Sequence, residues 1–322
     1  MDFRENQEKM LIKDLKIDRK INGYFKIENI NRRIKKNGEP FLTLTLMDKS
    51  GKIQAKIWNN VEYFYKLINT GEIYKINGYV NEYNNKKDVK IEKIIPVSQD
   101  DKNFNSEDFV EQASFDTEKL FDEMIKIVKL NLKNEYLIAL TDLFIKKFKN
   151  QFEKHYGAQK IHHAYKGGLL EHTYSIIKLL IPIAEYYSLD RELLLIGAMF
   201  HDIGKISEFD IEPSVNTTLK GGLIGHIVLG NNIFIELKNK ISDFPEDLST
   251  KIQHLILSHH GEKEFGSPEI PKTCEALCLH IADLLDSKIR IFKKEIESTE
   301  AKGIFSEYLP ILNRRILIQD KI

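Results

Sequence analysis

Two cysteines, Cys274 and Cys278, are all that the 322 residues contain. Their i,i+4 spacing in CEALCLHIADLLD would suit a disulfide or a metal, but a pair of buried structural thiols packed as small hydrophobes is the stronger expectation. No apolar stretch of secretory type opens the chain, which starts MDFRENQEKM. The longest apolar run, IIKLLIPIA within 176–184, falls far short of the roughly 20 residues that span a bilayer. A membrane protein is thereby disfavoured and a cytoplasmic one expected. No serine or cysteine nucleophile with a paired base stands out, no Walker-type phosphate loop is present, and there is neither an internal repeat nor a low-complexity segment. Net charge is also missing, at +0, with 42% hydrophobic and 30% charged residues, the profile of an ordinary globular protein.

The zero net charge hides an asymmetry. Residues 1–98 carry 20 Lys and Arg against 13 Asp and Glu, whereas the remainder carries 28 against 35. A basic first part suits a polyanion and an acidic second part suits cations, although ordinary variation of a lysine-rich surface gives the same arithmetic.

The basic part reads as short strands. FLTLTLM (41–47) and KIQAKIW (52–58) alternate around a hairpin at 48–51, NNVEYFYKLI (59–68) is helical, and EIYKINGYV and DVKIEKIIPV supply two further strands after the first, YFKIENI. Five strands with a helix between the third and fourth is the order of an all-β OB-fold barrel. Alternation turns Leu42, Leu44, Leu46, Ile53, Ala55 and Ile57 inward and Phe41, Thr43, Thr45, Gln54, Lys56 and Trp58 outward. Exposed aromatics beside lysines form the stacking surface that single-stranded nucleic acid uses, unless Phe41 and Trp58 pack under the short helix or against the second domain. Arg32, Arg33, Lys35 and Lys36 fall in the first long loop, where they would either contact a bound nucleic-acid strand or form a solvated turn.

Residues 98–116 are acidic and polar, as in a linker, and from 117 onward helical periodicity takes over, giving an all-α domain over 117–322 with a carboxy-terminal tail. Helices are expected at 117–130, 134–154, 168–187, 190–201, 221–239, 246–260, 272–296 and 304–312. All ten histidines lie in this part, nine of them beyond residue 160, and five of those form a spaced series with two aspartates: His172, His201-Asp202, His226, His259-His260 and Asp283. His172 shares a helical face with Ile176, Leu179 and Ile183, and the apolar helix LLLIGAMF ends in His201-Asp202. A buried carboxylate without a counter-charge costs several kcal/mol, which a bound cation removes. Helices that each deliver an inward histidine or carboxylate are how bundle metal sites are built. His155, His162, His254 and His280 read instead as satisfied structural histidines. Gly167-Gly168 and Gly221-Gly222 precede apparent helices, either as phosphate-approach points or as simple turns.

The order H…HD…H…H…D, with HDIGK at its centre, is similar to the HD superfamily of metal-dependent phosphohydrolases. An OB-fold followed by this domain, with KIHHAYKGGLLEHT ahead of the HD motif, resembles the YhaM-type 3′→5′ exoribonucleases over residues 15–315. The resemblance implies removal of nucleotides from the 3′ end of single-stranded RNA, and often of single-stranded DNA. It implies two divalent cations, Mn²⁺ first with Mg²⁺, Fe²⁺ or Co²⁺ as alternatives, held by His172, His201, Asp202, His226, His259 and Asp283, with Asp202 bridging. It leaves His259 against His260 undecided, helical facing favouring His259. Lys205 would contact the scissile phosphate, the competing role being a helix C-terminal charge, and His260, or a histidine released from coordination, would protonate the leaving oxygen. His163, with His162, Tyr165 and Lys166, would line the substrate entrance. Two alternatives stand beside this: a phosphodiesterase acting on a small or cyclic nucleotide, and a binding protein for single strands with a silent HD site. A homo-oligomer is left open.

Overall fold

The computed structural model describes residues 10–35, 37–83, 86–97, 109, 115–157, 165–211, 215–298, 304–310 and 312–318. The chain divides into two compact units, one holding the strand-rich amino-terminal part and the other the helices. His162 and His163, Lys36 and most of the linker expected at 98–116 lie outside the described residues.

Five strands build the first unit: β1 (Lys20–Ile34), β2 (Pro40–Asp48), β3 (Gly51–Ile57), β4 (Ile73–Tyr83) and β5 (Lys86–Pro96), with α1 (Val61–Leu67) between β3 and β4. They close into a barrel in the order β1-β2-β3-β5-β4. All neighbours are antiparallel except β3 and β5, whose parallel pairing at Gln54–Lys56 completes the cylinder. The period-2 pattern sets the faces, since successive side chains of a strand point to opposite sides. Leu42, Leu44, Leu46, Ile53, Ala55 and Ile57 are buried in the barrel core with Phe25, Ile27, Ile76 and Val89. Val61 and Phe64 of α1 join the same core, closing one end of the barrel.

The second unit comprises α2 (Thr117–Asn131), α3 (Glu135–Lys154), α4 (Gly168–Tyr187), α5 (Arg191–Phe200), α6 (Lys205–Glu208), α7 (Leu219–Ile224), α8 (His226–Lys238), α9 (Glu246–Ser258) and α10 (Cys274–Ser298), with a small ladder of β6 (Phe209–Asp210) and β7 (Asn216–Thr217). Asp116, Asn134 and Asp190 cap α2, α3 and α5 by accepting backbone N–H groups of the first turn. The core runs through α5, whose residues Leu193–Phe200 are all buried. Packed against it are Phe144 and Phe152 of α3, Ile176 and Leu180 of α4, Phe234 of α8, Leu255 of α9 and Leu279 of α10. A helix apolar on every side has to be central, and α5 is. Among the described residues no helix is long and apolar enough to cross a membrane.

Four expectations are corrected. The single helix at 221–239 is two helices, α7 and α8, broken at Gly225, whose φ of 78° and ψ of 153° lie outside the helical region and are open to a residue without Cβ. Gly221 and Gly222 therefore lie inside α7 rather than ahead of a helix. Among the described residues of 304–312 no helix forms: the described tail residues make antiparallel bridges, Phe305 with Leu317 and Leu309 with Arg314, around a turn containing Pro310 and the left-handed Asn313. Leu312 and Ile316 of this tail pack on Ile291 of α10. Finally, Cys274 is exposed and Cys278 half-buried, so the thiols are free but not core residues. The β6-β7 ladder, which falls between the helices expected at 190–201 and 221–239, gave no strand signal in the sequence.

Candidate metal centre and nucleic-acid face

Helix ends and one helix middle bring the histidine series together. His201 follows the last residue of α5 and His259 the last residue of α9, so each stands where backbone carbonyls point outward and the dipole favours positive charge. His226 opens α8, His172 lies in the second turn of α4, and Asp283 lies midway along α10. His172, His201, Asp202 and His259 are buried.

Asp202 is the hub. Its Oδ2 lies 3.3 Å from His201 Nε2 and 3.5 Å from His172 Nε2, while its Oδ1 lies 3.5 Å from His226 Nε2 and 3.7 Å from His259 Nε2. Asp283 Oδ1 stands 3.2 Å from His172 Nε2. Two groups of ligand atoms result, His172–His201–Asp283 and His226–His259–His260, each with its atoms within 4.8 Å of one another. The carboxylate of Asp202 lies between them, one oxygen toward each.

The five imidazoles share one orientation. Each engages its Nδ1 outside the cluster: His201 with Ala198 O at 2.8 Å, His259 with Ile256 O at 2.7 Å, His260 with Phe265 O at 2.9 Å, His172 with Asp286 Oδ2 at 2.9 Å and His226 with Glu208 Oε2 at 3.1 Å. A neutral ring that donates from Nδ1 presents an unprotonated Nε2, the tautomer that binds a metal, and such outer partners are what orient metal-bound histidines. The Nε2 atoms of His172, His201, His226 and His259 face Asp202, and His260 joins the ligand atoms of His226 and His259.

The cluster is incomplete as a set of hydrogen bonds. Asp202 Oδ1, His226 Nε2 and His259 Nε2 are buried atoms without a hydrogen-bond partner, and they face one another. Each such orphan costs about 1–3 kcal/mol. Three at one point are a heavy charge on a fold whose net stability is about 5–15 kcal/mol. His172 Nε2 and His201 Nε2 also meet at 3.2 Å, a spacing that needs a proton or a cation between two lone pairs. A set of imidazoles and carboxylates with these orphaned atoms fits divalent cations.

Charge in the cluster is strongly perturbed. Burial alone would raise the Asp202 carboxyl, but Lys205 first and His201 next hold it well below the usual carboxylate range. Burial likewise opposes the charge on His172, yet hydrogen bonds to Asp283 and Asp286 outweigh it and raise its pKa to about 9. Burial pushes His259 down to about 4 and, with His226 nearby, also lowers His260. These two rings are neutral at pH 7, as ligands must be.

Lys205 opens α6 and places its Nζ 2.5 Å from Asp202 Oδ2, so it serves the centre rather than a helix C-terminus. Two residues that sequence reasoning passed over, and one that it read as a satisfied structural histidine, support the cluster. Asp286 and Glu208 back His172 and His226, and His280 donates Nδ1–H to the carbonyl of His259 at 2.8 Å. Asp286 follows Asp283 by three residues, a helical spacing that could have marked it. Glu208 follows the HDIGK motif but carries no such mark. His155 and His254 are satisfied by the backbone, through Tyr156 O, Phe209 O and the amide of Lys272.

On the barrel, register decides which residues share a face. Leu42 pairs with Ile57, which sets Phe41 opposite Trp58, and the two rings stack at 4.8 Å with planes 12° apart. Phe41 is also the partner of Arg33 on β1, so Arg33, Phe41 and Trp58 form one outward row. Lys35 Nζ stands 5.3 Å over the Trp58 ring and pairs with Glu39. Arg33 makes no ion pair among the described residues. Arg32 points to the other face, where it pairs with Glu62 of α1, and Lys56 is paired with Asp88 at 2.6 Å. Trp58 and Phe41 thus pack on each other.

Known proteins carry both halves in the same order. The model of the HD domain matches residues 169–288, and that of the OB-fold nucleic acid binding domain matches residues 26–97. The 3′-5′ exoribonuclease YhaM of Bacillus subtilis is 34% identical over 302 residues, covering 93% of this chain and 94% of that protein. The YhaM of Listeria welshimeri is 32% identical over 312 residues, covering 96% and 97%. That of Bacillus licheniformis is 32% identical over 300 residues, covering 93% and 94%. With identity above 30% sustained across barrel and helices alike, this chain belongs to the YhaM family of 3′-5′ exoribonucleases.

Proposed function

We propose that the chain is a metal-dependent 3′→5′ exonuclease acting on single-stranded RNA, and on single-stranded DNA as a second substrate. The observation that carries this reading is the orientation of four Nε2 atoms toward Asp202, with His226 Nε2, His259 Nε2 and Asp202 Oδ1 all buried and lacking a hydrogen-bond partner. His172, His201 and Asp283 would hold one cation and His226, His259 and His260 another, with Asp202 common to both. Mn²⁺ is the first choice, and Mg²⁺, Fe²⁺ or Co²⁺ would fit the same donors. Bound divalent cations supply Lewis acidity, lowering the pKa of water and neutralising phosphoryl oxygens.

The chain's own residues do the rest. Lys205, anchored on Asp202, presents an ammonium beside the cluster, where it can offset charge developing on the scissile phosphate. His260 is half-buried, and burial with His226 nearby lowers its pKa, which favours a ligand over a proton donor. On the barrel, the Phe41–Trp58 pair offers a stacking platform and Arg33 and Lys35 offer phosphate partners, a combination that holds a strand without reading bases. Lys35, Lys56 and Arg32, already ion-paired, would have to exchange a carboxylate for a phosphate. His163 remains a candidate at the entrance. The working division is a gripping barrel at 1–97, a linker at 98–116 and a cutting domain at 117–322. The free thiols of Cys274 and Cys278 suit a reducing cytoplasm.

Purified protein incubated with Mn²⁺ and a 5′-labelled single-stranded oligonucleotide tests the reading. A descending ladder, abolished by Asp202→Ala with strand binding retained, is the expected result. Cleavage confined to cyclic nucleotides, or a gel shift without cleavage, would replace it with one of the two alternatives.

A further inference from the structure

We propose that Asp286 is a positioning residue of the metal centre, fixing the His172 ring through Nδ1 so that Nε2 is held toward His201, Asp202 and Asp283. The proposal rests on the reading of His172 as a ligand. Three of the five inward imidazoles are held by backbone carbonyls, which are neutral and set by the helix ends themselves. His172 lies inside a helix, where the nearby carbonyls belong to the helical ladder, so a side chain must supply its outer acceptor. Asp286 does so at 2.9 Å, and Asp283, one turn earlier on α10, stands 3.2 Å from the other nitrogen of the same ring. α10 therefore addresses both nitrogens of one imidazole from a single face.

Asp286 is itself anchored. Arg290 Nε lies 3.4 Å from Asp286 Oδ1, Nη1 lies 3.0 Å from Glu171 Oε1, and Nη2 donates to Ser175 Oγ at 3.1 Å. Glu171 and Ser175 flank His172 on α4 at one helical turn's spacing. The guanidinium thus joins α4 to α10 without help from the imidazole, so holding the helices together does not require the Asp286–His172 bond. What that bond adds is a fixed tautomer, a fixed ring plane and a carboxylate behind the ring that raises its basicity as a ligand.

Full-length Asp286→Asn, Asp286→Glu and Arg290→Gln are titrated with Co²⁺, reading affinity and visible absorption, beside the parent chain and His172→Ala. Asp286→Asn is expected to bind about 10–100-fold more weakly with an altered spectrum. Arg290→Gln should lose less, and Asp286→Glu should recover toward the parent. Parent-like affinity and spectrum in both Asp286→Asn and Arg290→Gln, folded by circular dichroism, overturn the proposal and leave Asp286 a helix-joining group. Should Asp286→Asn fail to fold, Arg290→Gln, which leaves the carboxylate in place, carries the same decision. His172→Ala separates the two levels: if it binds Co²⁺ as the parent does, the ligand reading fails as well. If His172→Ala alone loses a site, only the positioning role fails.

Discussion

The ammonium of Lys205 lies 2.5 Å from Oδ2 of Asp202, so the carboxylate at the centre of the histidine cluster is charge-paired from within the chain. The pairing uses one oxygen and leaves the other, Oδ1, toward His226 and His259. It also fixes where the ammonium stands, at the edge of the cluster rather than in bulk solvent, for Lys205 is half-buried.

Lys205→Met separates a role toward the phosphate from one toward Asp202. If Lys205 stabilises charge in the transition state, kcat on single-stranded RNA should fall by about 100-fold or more, with metal content unchanged by elemental analysis. An unchanged kcat with altered metal affinity would assign the lysine to Asp202 alone.

The His172 pKa of about 9 predicts proton release on cation uptake. The folded, metal-free value is raised above the usual 6.5, so protonation stabilises the metal-free fold fully below 6.5 and this contribution is lost as pH rises through 9. Between pH 7 and 9 a cation must displace that proton, and its affinity should climb toward a plateau above 9. Calorimetric titration with Mn²⁺ in buffers of different ionisation enthalpy should count about one proton released at pH 7. The melting temperature of metal-free protein should fall over the same interval. Affinity independent of pH would contradict a protonated His172.

Binding and cutting should come apart by mutation. Trp58→Ala removes one ring of the stacked pair and leaves Asp202 and its neighbours untouched. With stacking worth about 1–3 kcal/mol per base, strand affinity should weaken by roughly 5–150-fold and appear as a raised KM. Arg33→Ala should weaken binding more evenly across sequences and flatten its salt dependence. Filter binding at several salt concentrations measures both, and a fall in kcat at saturating RNA without a change in KM would remove the barrel face from strand holding.

How far the sequence could be read depended on how local each cause was. Alternation in FLTLTLM and KIQAKIW specifies the barrel faces because a strand's period is set by its own backbone, and His172, His201-Asp202, His226, His259-His260 and Asp283 were legible because ligand chemistry restricts residue type. The break at Gly225 was not, since glycine is tolerated inside helices and only the tertiary course of the chain asks for its positive φ. Asp286 and Glu208 were missed because a carboxylate's value as an outer partner depends on which ring nitrogen it meets. The fate of Arg32 and Lys56 turned on Glu62 and Asp88, acceptors visible only once α1 and β5 are in place.

Gly261 ties the turn after α9 to His280. Its φ is +81°, in the region L side chains rarely adopt, and an added Cβ would fall 2.2 Å from His280 Cε1. The same His280 ring holds the carbonyl of His259 at 2.8 Å, so any displacement of it moves the backbone that carries His259 and His260. Gly261→Ala should therefore cost about 1–2 kcal/mol for the backbone alone, and more for the clash. It should also weaken the His226–His259–His260 group while sparing His172, His201 and Asp283. His280→Ala removes the clash but also the hydrogen bond, so the double variant should regain part of the melting temperature lost by Gly261→Ala without regaining its metal. Thermal melts with and without Mn²⁺, together with metal stoichiometry, check this. A Gly261→Ala protein with full stoichiometry would mean that His259 and His260 do not depend on the turn.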